Sequence, residues 1–349
     1  MDGHEIYMRR CLDLAALGTG LVSPNPMVGA VVVYNNRIIG EGWHQAFGGP
    51  HAEVHAINEV MDKFSNYAEI FKNSTLYVNL EPCAHYGKTP PCARLIAEHQ
   101  LKRVVIGCRD PFDAVNGKGI ALLQDARVEV IEGVLQKESE FLNRRFITRV
   151  RQHRPYVILK WAQTADGYFA PDDGSQQWIS SPQAQQMVHR WRSEEDAVLV
   201  GKNTALIDNP RLNVRAWNGR NPLRIVIDKN LEVPSTHHLL DGSIHTLVFN
   251  ALKSDWSENL KYISLENFDL YLPQQILYQL YLMDVQSVIV EGGLHTLKAF
   301  TDAGLWDEAR IFKAPLTWGK GKLAINLKES NSVNQKVGID NLTIYYKSK

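Results

Sequence analysis

Cysteine is scarce: four residues, Cys11, Cys83, Cys92 and Cys108, in a chain of 349. A chain of that length needs no disulfide staples, so thiols in a reducing cytoplasm, two of them held by a metal, explain the pattern better than two bridges. Net charge is absent as well, with 38 basic and 38 acidic side chains. No global field draws the chain to polyanions or anionic lipid. No apolar run reaches about eighteen residues, which excludes a membrane-spanning helix. The opening MDGHEIYMRRCLDLAAL has no basic leader ahead of a long apolar stretch, so no secretory signal is expected.

What is present is ordinary globular material, 44% hydrophobic and 22% charged. The length exceeds one average core and implies two domains. Residues 2–17 read as a helix with capping-box spacing at Asp2 and Glu5, stopped by SPNP at 23–26. VGAVVVY at 28–34 reads as a buried strand, NN at 35–36 as a turn, and RIIGEGWH as the returning strand. HAEVHAINEVM at 51–61 has helical periodicity. A strand at 75–80 runs into Cys83, PPCARLIAEH opens a short helix, and LKRVVIGC and ARVEVIEGV supply two more strands. This order predicts an α/β layer fold with mostly parallel crossovers. Residues 135–155 read as a helix followed by a polar connector, with domains at 1–148 and 149–349. The second half alternates short apolar strands with helices near 182–193, 273–281 and 294–302, a second α/β domain.

The chemistry concentrates in His51-Ala52-Glu53 and the segment from Pro82-Cys83 to Cys92. One imidazole and two thiolates suit zinc, and three protein ligands leave a fourth tetrahedral position for water, as in catalytic rather than structural sites. Zinc brings the pKa of water toward about 7, and a carboxylate at Glu53 can carry its proton to a leaving amine. The scheme is the one general to nucleobase deaminases. A structural zinc knot is the rival, and it requires a fourth ligand from His55 or His85.

The His-x-Glu and Pro-Cys elements resemble the cytidine deaminase superfamily, although the step from Cys83 to Cys92 is longer than the common Pro-Cys-x-x-Cys. SPNPMVG at 23–29, HAE at 51–53 and PCAHYGKTPPC at 82–92 resemble the bifunctional riboflavin-biosynthesis deaminase/reductases, over nearly the whole chain. The resemblance implies a cytidine-deaminase-like three-layer domain followed by a dihydrofolate-reductase-like domain. It implies zinc-dependent deamination of a diaminopyrimidinone ribosylamine 5′-phosphate, then NADPH-dependent reduction of the ribosyl group to ribityl. Asn25, His44 and Lys88 would line the first substrate site. From residue type alone Asn25 is equally a turn cap and Lys88 equally a solvated charge.

In the second half the resemblance places Ala162, Trp178, Thr204, Asp208 and the Gly293 turn on NADPH. It places Gln176, Arg192, Leu212, Arg215 and Glu291 on substrate. Gln176 stands where some members carry serine and departs from the pattern there. Arg192 and Arg215 can grip a sugar phosphate, and Glu291 can accept from hydroxyls or an amine. Thr164 and Asp166 either line the cleft or form a turn at Asp166-Gly167. Glycines 292 and 293, between an apolar strand and a helix, fit either a plain turn or a phosphate-binding one. The partners expected are phosphorylated pyrimidines, in a homodimer or homotetramer. Nucleic acid is not among them: the basic cluster Arg144, Arg145, Arg149, Arg151, His153 and Arg154, at the expected linker, has only Phe146 interleaved and reads as a solvated helix face or as interdomain salt bridges.

Overall fold

The asparagine pair at 35–36 decides the topology of the first half. In the computed structural model, which describes residues 3–84, 90–113, 115–173, 177–327 and 331–348, both asparagines have positive φ, 48° and 59°. That geometry closes a two-residue hairpin between β1 (Gly29–Tyr34) and β2 (Arg37–Trp43). The chain then returns through α2 (Ala52–Lys63) and α3 (Tyr67–Phe71) to β3 (Thr75–Leu80), which pairs antiparallel with β1 on its other edge. β2 therefore runs the same way as β3, β4 (Arg103–Cys108) and β5 (Glu129–Glu132), and β1 alone runs against them. The five-stranded order β2-β1-β3-β4-β5 is mixed, yet the connections β2 to β3, β3 to β4 and β4 to β5 each join strands of one direction, in line with the expectation of mostly parallel crossovers. The tight hairpin reverses the chain where a helical crossover would have kept its direction.

Side-chain alternation along β1 separates the layers. Ala30 and Val32 enter a core with Ala52, Ala56, Ile57 and Val60 of α2, Ala93 and Ile96 of α4 (Cys92–Glu98), and Ile120 and Leu123 of α5 (Lys118–Asp125). Val31 and Val33 enter a second core with Met8, Cys11 and Leu14 of α1 (Gly3–Ala16). Period-two burial on both faces produces the three-layer sandwich. On the α1 side, α6 (Gln136–Leu142) lies against β4, where a Cβ on Gly107 would meet Ser139 Oγ at 2.3 Å.

α7 (Arg144–Gln152) occupies the stretch expected to be a connector and runs through residue 148. It ends at His153, whose φ of 52° breaks the helix, and the chain divides into Met1–His153 and Arg154–Lys349. The arginines continue the helical pattern, so the reading of the basic cluster as a helix face holds where the connector reading of the same stretch does not.

The second unit carries a ten-stranded sheet. Its parallel portion runs in the order β12 (Leu260–Ser264), β10 (Thr246–Asn250), β9 (Leu223–Ile227), β8 (Ala197–Gly201), β13 (Ser287–Gly292), β6 (Tyr156–Gln163) and β14 (Glu308–Lys313). Antiparallel strands finish it: β11 (Asp255–Trp256) at one edge, β17 (Asp340–Tyr346) and β16 (Ser332–Val337) at the other. β7 (Tyr168–Ala170) and β15 (Lys322–Leu323) form a separate ribbon. Val157, Leu159 and Trp161 of β6 pack with α10 (Leu272–Leu282) and α11 (Leu294–Asp302); Tyr156 and Ile158 pack on the opposite face with α8 (Pro182–Glu194) and α9 (Lys202–Asp208). Helices cover both faces, as apolar runs buried on both sides require. Among the described residues no helix is long and apolar enough to cross a membrane.

Candidate active sites: a metal triad and a cleft at the strand ends

The N-terminus of α2 is pressed against β2 because Gly42 leaves room for it: a Cβ there would meet the Ala52 carbonyl at 2.4 Å. His51 caps this helix in an extended conformation, and Glu53 falls in its first turn, only 3% exposed. Cys83 follows β3, and Cys92 is the first residue of α4 behind Pro91. His51 Nδ1 lies 3.3 Å from Cys92 Sγ and 3.6 Å from Cys83 Sγ, and the three ligand atoms fall within 4.8 Å of one another. Ligands at about 2.0 Å and 2.3 Å around a tetrahedral ion stand roughly 3.5–3.8 Å apart, so the spacing fits a zinc-sized cation. His55 is not part of the group, and His85 lies outside the described residues, as does Lys88. The knot reading has no fourth ligand among the described residues.

The electrostatics suit a cation. A hydrogen bond from the Cys92 thiol, with help from His51, holds Cys83 down to about 4, while Cys92 is pushed up. The Cys92 amide at the start of α4 also donates to Cys83 Sγ at 3.3 Å. A metal ion held there would take the place of the proton that the thiols share. Burial raises the Glu53 carboxyl above its usual range, as a group that both takes and returns a proton requires.

Asn25 and His44 meet beside the triad. His44 Nδ1 faces the Pro50 carbonyl at 3.0 Å and is its donor, which leaves Nε2 as the acceptor of the Asn25 amide at 3.0 Å. Burial lowers the His44 pKa, so the ring is neutral, and it meets His51 edge-on at 5.6 Å between centroids. The ring thus holds the Asn25 side chain in place. Sequence reasoning missed Glu81, 3% exposed, whose carboxylate accepts from the amides of Asp110, Gly117, Gly119 and Ile120. It ties the strand end that carries Cys83 to the start of α5. An acidic residue at the end of an apolar strand, just before Pro-Cys, was the available signal.

In the second unit Thr204, Asp208 and Gly293 line one cleft of about 810 Å³ at the carboxyl ends of β8, β9 and β13. Ligands of parallel sheets bind at these ends. Gly293 has a φ of 74°, and a Cβ on Gly292 would meet Thr204 at 2.9 Å. Both glycines are thus needed to bring the start of α11 beside α9. Ala162 and Trp178 are not among the cleft-lining residues; Ala162 borders the core, and Trp178 is 68% exposed. Gln176 lies outside the described residues.

A second cluster joins Arg192, Glu291 and Arg215. Arg192 Nε and Nη2 each donate to a Glu291 oxygen at 2.7 Å. Its fork is occupied by a carboxylate, so two buried opposite charges satisfy each other. Arg215 reaches Asn213 Oδ1 at 3.1 Å, and Arg192 Nη1 reaches the Asn213 carbonyl at 3.4 Å. Leu212 is buried, and its φ of 49° turns the chain so that Asn213 and Arg215 come alongside. Burial alone would raise Glu291, but Arg192 and Lys160 overcome it and hold the carboxyl down to about 2. Lys160, 4.0 Å from Glu291, was not singled out from sequence, where it sits within an apolar strand. Asp166 accepts from the Trp318 and Gly319 amides, which makes it a turn anchor.

Fold and site together define a class: a metal-dependent deaminase unit and a reductase-like unit on one chain. The comparisons agree on both halves. Residues 1–108 match the cytidine and deoxycytidylate deaminase zinc-binding region, and residues 155–343 match the RibD C-terminal domain. The riboflavin biosynthesis protein RibD of Aquifex aeolicus is 39% identical over 347 residues, 96% of this chain and 95% of the relative. That of Bacillus amyloliquefaciens is 40% identical, over 93% and 87%. The crystal structure of a diaminohydroxyphosphoribosylaminopyrimidine deaminase/5-amino-6-(5-phosphoribosylamino)uracil reductase from Thermotoga maritima, 36% identical, superposes with a TM-score of 0.89 over 99% of both chains. The chain belongs to the RibD family, the bifunctional deaminase/reductases of riboflavin biosynthesis.

Proposed function

We propose that the first unit hydrolytically deaminates 2,5-diamino-6-ribosylamino-4(3H)-pyrimidinone 5′-phosphate and that the second reduces the ribosyl group of the product to ribityl. The observation that carries the first step is the convergence of His51, Cys83 and Cys92 beside buried Glu53. Zinc held by the three would supply a Lewis acid that makes water a nucleophile at neutral pH. Glu53 takes a proton from the attacking water and delivers it to the departing amine, and its burial raises the carboxyl's affinity for that proton. Asn25, held by His44, presents its carbonyl oxygen and remaining N–H to the pyrimidine ring. Lys88 would face the phosphate of the substrate.

In the second unit bound NADPH would supply the hydride to C1′. Thr204, Asp208 and the Gly293 turn are the cleft residues offered to its phosphates and ribose, with Ala162 and Trp178 assigned to it by the resemblance. Lys160, Arg192 and Arg215 outnumber Glu291 in charge, which suits a phosphorylated sugar. Leu212 and Gln176 complete the substrate assignments. The four cysteines are unpaired, in keeping with a cytoplasmic protein, and the family resemblance carries a homodimer or homotetramer.

A two-step assay tests the reading: ammonia release from the diaminopyrimidine substrate first, then NADPH consumption that depends on the deaminated product. NADPH oxidation without prior deamination would overturn the order. Unchanged reductase kinetics in Arg215→Ala would remove that arginine from the site.

A further inference from the structure

The loop that carries Asn25 is held from a part of the chain well beyond the zinc-binding match, which ends at residue 108. Asn143 sits at the junction of α6 and α7 and is 1% exposed. The Met27 N–H donates to Asn143 Oδ1 at 2.8 Å, and Asn143 Nδ2 donates to the Met27 carbonyl at 2.9 Å. One carboxamide thus satisfies both backbone groups of one residue, as a neighbouring strand would. Asn79 of β3, fully buried, donates to the same carbonyl at 3.0 Å and accepts from the Gly29 amide at 2.8 Å. Met27 is two residues from Asn25, whose side chain meets His44.

We infer that Asn143 is a positioning residue of the deaminase: it fixes the Met27 backbone, and through it the placement of Asn25 against the substrate ring. The α6–α7 segment is then part of the substrate-binding scaffold of the first unit. Asn143 makes no bond to the triad, which is built from α2, the end of β3 and α4. Its loss disturbs substrate recognition and leaves the metal in place. The inference rests on the reading of Asn25 as a substrate contact.

Three variants of the full chain test it, each assayed for metal content, deamination kinetics and the reductase step on deaminated substrate. Asn143→Ala removes two buried hydrogen bonds, and KM for deamination rises about tenfold or more, with kcat changed less than about threefold and the reductase step unchanged. Asn143→Asp preserves shape. Ionised, it accepts from the Met27 N–H but turns a second acceptor toward the Met27 carbonyl; protonated, it donates there again. At about pH 9, where the new carboxyl is ionised, its KM is therefore raised as in Asn143→Ala although the space is filled, a readout that a space-filling role does not move.

A KM within about twofold of the parent in metal-loaded Asn143→Ala overturns the inference, as does a parent-like KM for Asn143→Asp at about pH 9. Loss of metal in both variants also overturns it, because Asn143 is then a prop for the whole unit. Asn25→Ala separates the two levels. A raised KM there with none in Asn143→Ala sinks the positioning role alone, and an unchanged KM in Asn25→Ala removes both.

Discussion

Arg192 and Glu291 meet through two parallel hydrogen bonds of 2.7 Å each, almost out of contact with water. Glu291 comes from the end of β13 and Arg192 from the last turn of α8, so the pair exists only because the two elements pack together. A buried pair of this kind is costly to break, since the surviving partner keeps its charge without compensation. Arg192→Leu should destabilise the second unit by about 3–5 kcal/mol near neutral pH. The double change Arg192→Leu with Glu291→Gln should recover part of that loss. Urea denaturation followed by the tryptophan fluorescence of the chain checks both, and equal losses in the single and double variants would contradict the account.

The same pair gives a pH dependence with a definite sign. Glu291 is held down to about 2 in the folded state, below the usual carboxylate value of about 4.3. Its contribution to stability is fully present above the unfolded value and is lost as pH falls through the folded one. The stability of the second unit should therefore decline between about pH 5 and pH 2, by on the order of 3 kcal/mol from this group. Glu291→Gln should flatten that part of the profile, as denaturation midpoints measured across the range would show.

Glu53→Gln keeps the shape of the first site and removes its proton carrier. Metal content should stay at the parent level, and kcat for ammonia release should fall about 10²–10⁴-fold. The reductase step on deaminated substrate should be untouched. Elemental analysis beside the two assays decides it, and a fully active variant would discard the role.

Chelation separates the two activities from the other direction. Both thiolates and a neutral imidazole are needed to hold the ion, so acid should weaken its binding. Dialysis against a chelator should abolish ammonia release, faster at pH 6 than at pH 8, and zinc should restore it. NADPH oxidation with deaminated substrate should survive the treatment. Loss of both activities together would count against independent sites.

Gly292→Ala places a methyl group 2.9 Å from Thr204 and 3.0 Å from Val200. Backbone and side chains must shift just before α11, beside the cleft that Thr204 and Gly293 line. The dissociation constant for NADPH should rise about tenfold or more while deamination holds, an effect readable by cofactor fluorescence titration. Gly293→Ala should do the same through its positive φ.

Local signals sufficed wherever the chemistry lies close along the chain. The strand runs, the helix starting at 51, His51 two residues before Glu53, and Cys92 behind two prolines were all legible, because periodicity, capping and proline position act over a few residues. The resemblance of SPNPMVG, HAE and PCAHYGKTPPC pointed to the family. Tertiary structure decided the rest. Edge pairing set the strand order β2-β1-β3-β4-β5, and helix α7 filled the stretch expected to be a connector. Packing joined Arg192 to Glu291 across 99 residues and brought Asn143 to Met27 across 116. Which buried groups satisfy one another depends on distances that no local pattern encodes, and burial makes each such pairing strong enough to fix the site.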